Sequence, residues 1–253
     1  MSVYDPIARD FDRQRALPDG VPEAIRVAIL AVLAAPHPRI LDLGAGAGRF
    51  GRAFVAAGDD YTAVDLSFGM LRAFANRSGS VSLAQSDGAA LPFPDATFDA
   101  VLLIQVLSGA RDWRALLSDA TRVLRPSGAL IVGRVVAPDD GIDARMKTRL
   151  AEILAGMDVH PYRDKPRETA LAWLAQAMPA LTVTAATWTT ERRPDEFLTR
   201  HSQGARFSVL PEPIRQRAMA ELAAWASGRF GDACQEQHSF ELIIHRFQHG
   251  TTP

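Results

Sequence analysis

The 253-residue chain has one cysteine, Cys234, and cannot close an intrachain disulfide. A disulfide-stapled secreted scaffold is excluded, and a reducing, cytoplasmic setting is expected. Lysine is almost missing: of 28 basic residues only Lys147 and Lys165 are lysines. That bias, with the many alanines, fits a GC-rich bacterial coding sequence and says nothing about activity. Neither sign of charge dominates, since 28 Lys+Arg face 29 Asp+Glu for a formal net charge of -1. Such a balance supplies no overall pull toward nucleic acid or an anionic membrane. Long apolar runs are also absent. The longest near the start, Ile25–Ala35, is interrupted by Arg26 and ended by Pro36, too short and too polar to cross a bilayer. The first twenty residues carry Asp5, Arg9, Asp10, Asp12, Arg13, Arg15 and Asp19, which leaves no apolar core for a signal peptide. No membrane insertion is expected. There is no CxxC pair, HExxH, Walker loop or G-x-S-x-G. A tightly held metal, nucleotide hydrolysis and a hydrolase elbow are therefore disfavoured.

What is present is ordinary globular material: 47% hydrophobic and 23% charged residues. The length suits one large domain or one domain with an insertion. Helices are expected at 22–35, 49–57, 67–76 and 112–124, with Ser67 as a cap. Strands are expected at 39–43, 61–64, 81–85, 98–104 and 129–136, with Pro126-Ser127-Gly128 as a turn. Strands alternating with helices of this length argue for a parallel, doubly wound sheet. After Pro138 the rhythm changes. Helical segments dominate 139–179, a strand is expected at 181–190, helices at 195–229, and a closing strand at 239–247. The expected organisation is a core at 1–138, a mainly helical cap at 139–210, and a helix and closing strand at 211–253 that complete the core sheet.

The most informative segment is Ile40-Leu41-Asp42-Leu43-Gly44-Ala45-Gly46-Ala47-Gly48-Arg49-Phe50. A strand runs into a loop with glycine at every second position and then toward a helix. Without Cβ atoms the loop can take positive φ and lie against a ligand, and the helix start adds free N–H groups. Two ligands suit it. Gly46-Ala47-Gly48-Arg49-Phe50-Gly51 is a literal G-x-G-x-x-G with Asp65 about 20 residues on, as an NAD(P)-dependent oxidoreductase would have. S-adenosylmethionine would instead place its amino-acid portion on the glycines beside Asp42 and its ribose on Asp65. Three features favour the second. Counting from Gly44, the glycine nearest the strand, the third fingerprint position is Arg49. A carboxylate at Asp42 is adverse beside pyrophosphate and favourable beside a sulfonium and an ammonium. Ser86-Asp87-Gly88 offers an acceptor for an adenine amino group.

On these residues the chain resembles the class I S-adenosylmethionine-dependent methyltransferases. The matching segments are Ile40–Gly48, Val64-Asp65-Leu66-Ser67 with Met70-Leu71, Asp87–Phe93, Phe98–Val101 with Gln105-Val106-Leu107, and Arg122–Leu130. The opening Tyr4-Asp5-Pro6-Ile7-Ala8-Arg9-Asp10-Phe11-Asp12 is similar to that of small-molecule members acting in quinone biosynthesis. The resemblance implies an α/β, Rossmann-like seven-stranded sheet whose last strand is antiparallel, with a helical cap insertion. It implies a cofactor site at Tyr4, Arg13, Asp42, Gly44, Ala45, Gly46, Gly48, Asp65, Leu66, Met70, Asp87, Gly88 and Gln105. A retained cofactor fold without catalysis, serving as a regulator, is the further alternative. A nucleic-acid substrate is disfavoured, because no Asn-Pro-Pro-Tyr or Asp-Pro-Pro-Tyr tetrapeptide is present and base extrusion needs a cationic groove.

Methyl transfer from a sulfonium is an in-line displacement in which positioning supplies much of the acceleration, and a base is needed only if the acceptor must lose a proton. Related enzymes often carry a histidine after the fourth strand, where this chain reads Gln105-Val106-Leu107-Ser108-Gly109. The remaining candidates are His160, Tyr162 and His201, each in the expected cap. Trp173, Trp188, Phe197 and Phe207 are expected in packing roles. Arg192, Arg193, Arg200 and Arg206 could meet an acidic substrate, but Glu191, Asp195 and Glu196 dilute them and a solvated face is expected. Residues 139–210 are expected to choose a small, largely apolar acceptor. The acceptor's identity and the oligomeric state are left open.

Overall fold

The computed structural model describes residues 15–33, 35–110, 112–160, 166–178, 180–202, 207, 210–231 and 233–248. Seven strands form one sheet: β1 Ile40–Leu43, β2 Tyr61–Asp65, β3 Ser82–Gln85, β4 Phe98–Ile104, β5 Leu124–Val136, β6 Ala180–Arg192 and β7 Glu236–Gln248. Their order is β3-β2-β1-β4-β5-β7-β6. β1 is parallel to β2 and β4, β2 to β3, and β4 to β5. The last strand enters antiparallel, which makes the sheet mixed and Rossmann-like as expected. β1 and β4 read as apolar runs because helices cover both faces of a parallel sheet, and every residue of β4 except Asp99 is buried.

The helices are α1 Val21–Leu33, α2 Arg52–Ala56, α3 Phe68–Ser78, α4 Trp113–Arg122, α5 Ile142–Ala155, α6 Pro166–Ala177, α7 Pro194–Ser202 and α8 Glu212–Phe230. α3 starts where its cap predicts, with Ser67 Oγ accepting from Met70 N at 3.2 Å. α4 is capped by Asp112, which accepts from Ala115 N at 3.0 Å, and it buries Trp113, Leu116, Leu117 and Ala120. Two local expectations differ. The helix expected from Arg49 begins only at Arg52, because the glycine loop uses the preceding residues for turns. Pro126-Ser127-Gly128 does not end a strand. β5 runs through it from Leu124, with a register irregularity opposite Phe98–Ala100 and Ser127 at φ 66°, the signature of a bulge.

The described residues divide into two compact units. The first draws on 1–135, 165–186 and 242–253, the second on 136–164 and 187–241. This differs from a cap at 139–210, and packing gives the reason. α6 buries Ala170 and Leu174 in the same core as Leu41, Leu43, Leu103 and Leu117. In the second unit α8 joins α5 and α7 in a separate core of Met146, Leu150, Phe197, Phe207, Ala218 and Leu222. That unit is further tied by His238, which is buried against Gly141 and accepts from Ile142 N at 3.2 Å. Among the described residues no helix is long and apolar enough to cross a membrane.

Candidate cofactor site

The chain leaves β1 for β2 and β3 on one side and returns to β4 on the other. A crevice at the carboxyl ends of β1 and β4 follows, which is where open α/β sheets bind ligands. The first unit alone supplies the ends of β1, β2, β3 and β4. At the end of β1, Gly44, Gly46 and Gly48 have φ of 76°, 58° and 82°, a region that L side chains rarely enter. They differ in what surrounds them. A Cβ on Gly44 would lie 2.6 Å from Val106, and one on Gly48 would lie 2.4 Å from Phe74. A Cβ on Gly46 would meet nothing within 4 Å. Gly44 and Gly48 thus let the loop sit on the protein beneath it, while Gly46 keeps backbone open toward whatever approaches the loop. That cradle fits a ligand pressed against main chain.

Two carboxylates flank it. Asp65, at the end of β2, accepts from Gly46 N at 2.9 Å through one oxygen and from Ser67 N at 2.8 Å through the other. It therefore ties the glycine loop to the start of α3. Asp42 is only 4% exposed. Tyr61 Oη donates to its Oδ2, and the Tyr61 ring lies between Phe54 and Phe74. Burial pushes the Asp42 carboxyl up to about 7; the Tyr61 hydrogen bond opposes this and the charge of Asp65 adds to it. Tyr61 itself is raised, by burial and by the neighbouring Asp42. Asp42 thus sits near the balance between acid and anion, and a nearby cation would favour the anion.

Tyr61 was not singled out from sequence. The signal available was a phenol on a buried strand, which needs a polar partner. β1–β2 pairing sets Ile40 opposite Tyr61 and Asp42 opposite Ala63, so Tyr61 and Asp42 are diagonal neighbours on one face. Tyr61 also explains Gly51: a Cβ there would fall 2.1 Å from the phenol oxygen. The glycine that completes the literal G-x-G-x-x-G makes room for a side chain below it.

The other expected residues are brought to the same end of the sheet, with different exposure. Leu66 is 59% exposed, whereas Met70 is buried and packs under the loop against Ala47. Asp87 is exposed and accepts from Ala89 N at 3.0 Å, and Gly88 allows close contact with Leu43 and Leu116. Gln105 directly follows β4 at φ 65°, with its N–H donating to Gly133 O at 2.9 Å. That strained backbone turns Val106 onto Gly44. Ala45 N donates to Val64 O at 3.1 Å, which fixes the loop to β2. Tyr4, Arg13 and Tyr162 lie outside the described residues.

His160 and His201 belong to the second unit. His160 is half exposed and 3.7 Å from Asp158. His201 stacks on Phe197 with ring centres 3.7 Å apart, and its Nδ1 is 3.2 Å from Phe197 O. Burial, then the charge of Lys147, pulls it down to about 4, so it is neutral at pH 7 and weakly basic. Trp188, Phe197 and Phe207 are buried as expected, but Trp173 is 43% exposed and meets Trp113 edge-on in the first unit. Among the described residues no group of three or more His, Cys, Asp or Glu is placed to hold a metal ion.

Comparison with known proteins agrees with the fold. A family described as "Methyltransferase domain" matches residues 41–132. A demethylmenaquinone methyltransferase of a Parafrankia species is 32% identical over 222 residues, covering 74% of this chain and 85% of that protein. Two solved structures share the fold. An S-adenosylmethionine-dependent methyltransferase of Thermotoga maritima has a TM-score of 0.55 at 17% identity, with 98% of each chain covered. The YcgJ protein of Bacillus subtilis has a TM-score of 0.58 at 18% identity, covering 90% of this chain and 98% of that one.

Proposed function

The chain belongs to the class I S-adenosylmethionine-dependent methyltransferase family, and from that premise we propose that its acceptor is a small, largely apolar ring compound of the quinone type. The cofactor is S-adenosylmethionine, which supplies an electrophilic methyl group on a sulfonium. Support for the acceptor class comes from the Parafrankia relative, which is named for demethylmenaquinone and aligned over most of its length.

In this reading the chain's own residues bind and orient. Gly46 lets main chain approach the amino-acid portion of the cofactor. Asp42 supplies the negative field that a cationic ligand needs, and Tyr61 holds one of its oxygens. Asp65 receives the ribose hydroxyls while keeping the loop joined to α3. Asp87 and Leu66 flank the adenine, and the turned backbone at Gln105 closes the wall toward β4. Bound S-adenosylmethionine would supply the methyl group for an in-line displacement, in which the sulfur–carbon electron pair goes to sulfur and the proton displaced from the acceptor goes to solvent. Positioning supplies the acceleration. Within the expected cap, the segments of the second unit, 139–164 and 187–210, carry the choice of acceptor.

The observation that carries the cofactor roles is the pairing of an open, positive-φ Gly46 with the buried carboxylate of Asp42, which a pyrophosphate would repel and a sulfonium or ammonium would favour. The test is a thermal-shift titration with S-adenosylmethionine and NADH, followed by methyl-transfer assays on a demethylated naphthoquinol. Stabilisation by the first ligand and transfer to the naphthoquinol are expected. Binding with no transfer to the naphthoquinol, but transfer to another small molecule, would overturn the acceptor and leave the cofactor roles standing.

A further inference from the structure

The second unit gathers positive charge that its own packing does not neutralise. Asp143 and Lys147 lie one turn apart on α5, Arg192 ends β6, and Arg200 and His201 lie in the last turn of α7. Asp143 is buried at their meeting point. Its Oδ1 accepts from Arg200 Nη2 at 2.7 Å, and its Oδ2 is 3.6 Å from Arg192 Nε. The second contact is an ion pair without a hydrogen bond, and Arg192 Nε is buried without a hydrogen-bond partner. Its guanidinium lies 4.8 Å over the Phe240 ring. Lys147 has no hydrogen bond or close ion pair among the described residues, although Asp143, Arg192 and Arg200 all act on its charge. Glu196 attracts Arg192 but is solvent-exposed.

Three cations, Lys147, Arg192 and Arg200, therefore converge on one buried carboxylate, with the neutral ring of His201 beside them. Neutralising Asp143 requires only Arg200. Arg192 is half-buried beside like charge, and the exposed Lys147 adds a further cation at the same place, so the repulsion among them is relieved when an anion joins the set. Reduced hydration lowers both from their ordinary values; at Arg192 the charge of Arg200 adds to this and Asp143 opposes it, whereas at Lys147 the attraction of Asp143 opposes it ahead of the repulsion from Arg200 and Arg192. The chemistry of the set is specific. Guanidinium groups recognise carboxylate and phosphate through paired donors, and a lysine adds a compact point charge. The expectation of a solvated arginine face holds for Arg193, which is 3.3 Å from Asp195, and not for Arg192 and Arg200.

We propose that Lys147, Arg192 and Arg200 form a binding site for the oxyanion group, carboxylate or phosphate, of a small molecule. The site lies wholly within the second unit and does not rest on the quinone-type reading of the acceptor.

The test uses the full chain at pH 7 and constant ionic strength. Inorganic phosphate and benzoate are titrated separately, with chloride as the balancing ion, and read by calorimetry and thermal melting. Saturable binding of phosphate, benzoate or both is expected, and the stronger of the two identifies the group. In Lys147→Met the affinity should fall at least tenfold, roughly 1.4 kcal/mol, while the free protein melts higher than the unsubstituted chain. The higher melt separates a ligand-binding lysine from a merely structural one, whose loss would lower it. Arg192→Gln should weaken binding similarly. If Arg192→Gln does not fold, Lys147→Met still decides. No saturable binding of either anion, or unchanged binding in Lys147→Met, would overturn the proposal.

Discussion

In the first unit the carboxylate of Asp65 has both oxygens tied to backbone N–H groups, whereas in the second unit the ammonium of Lys147 has no close partner among the described residues. In the role proposed for it, the glycine loop would recognise through main chain, and main chain is satisfied by neighbours a few residues or one strand away. The cluster around Asp143 recognises through long side chains drawn from α5, β6 and α7, and its charges do not cancel. A site built on backbone geometry should be brittle toward added carbon atoms. One built on side-chain charge should be brittle toward loss of its single counter-charge and tolerant of losing a surplus cation.

The largest effect expected is therefore at Asp143. Asp143→Ala leaves Arg192 and Arg200 without their buried carboxylate and should cost about 3–5 kcal/mol in denaturant unfolding. Loss of Lys147 should have the opposite sign, as argued above. If the two substitutions destabilise equally, the contrast in charge balance is wrong.

On the backbone side, Gly48→Ala should cost about 3 kcal/mol, since positive φ and a Cβ at 2.4 Å from Phe74 act together. Gly46→Ala meets no protein atom and should cost only about 1 kcal/mol in the free chain. It should nevertheless weaken cofactor binding, because the added methyl points to the ligand side. Paired unfolding and binding measurements on the two variants would show whether Gly46 is reserved for ligand.

Asp65→Ala should weaken S-adenosylmethionine by about 1.5–3 kcal/mol through lost charged hydrogen bonds. Calorimetry with the isolated variant checks this.

The pH dependence is the most diagnostic. Asp42 titrates near 7 in the folded chain, above the ordinary carboxylate value of 3.8. Its contribution to stability of the free protein is full below about pH 4 and is lost as pH rises through about 7. Cofactor affinity should run the other way, because a cationic ligand prefers the anion. Affinity should rise by about eightfold between pH 6 and 7.5. Asp42→Asn should flatten the profile. Tyr61→Phe removes a hydrogen bond that opposes the upward shift, so it should move the midpoint to higher pH. A profile identical in all three proteins would detach Asp42 from the cofactor.

Much of the first unit was legible because its signals are local. The glycine spacing, the carboxylate at each strand end and the Ser67 cap depend on residues within one turn or loop. Their physics, positive φ and free N–H groups, is visible in the order of residue types. The sheet could be read from runs such as Phe98–Ile104, since a parallel strand covered on both faces must be apolar. Gln105 and Met70 were found through resemblance, and only the structure separates them into a strained strand end and a buried support.

The amino-acid sequence by itself determined the alternation of strands and helices, the cofactor loop and the chemical class of its ligand. Tertiary structure alone decided the partnership of Tyr61 with Asp42, the place of α6 in the first core, and the convergence of Lys147, Arg192 and Arg200 on Asp143. The reason is distance along the chain. Arg200 meets a carboxylate 57 residues away, and no local spacing reports such a pair. In sequence, Glu191, Asp195 and Glu196 stand beside the arginines and dilute them. In space, those acids turn to solvent, Asp143 is buried with Arg200 beside the half-buried Arg192, and the balance of charge is set by which side chains the packing excludes from water.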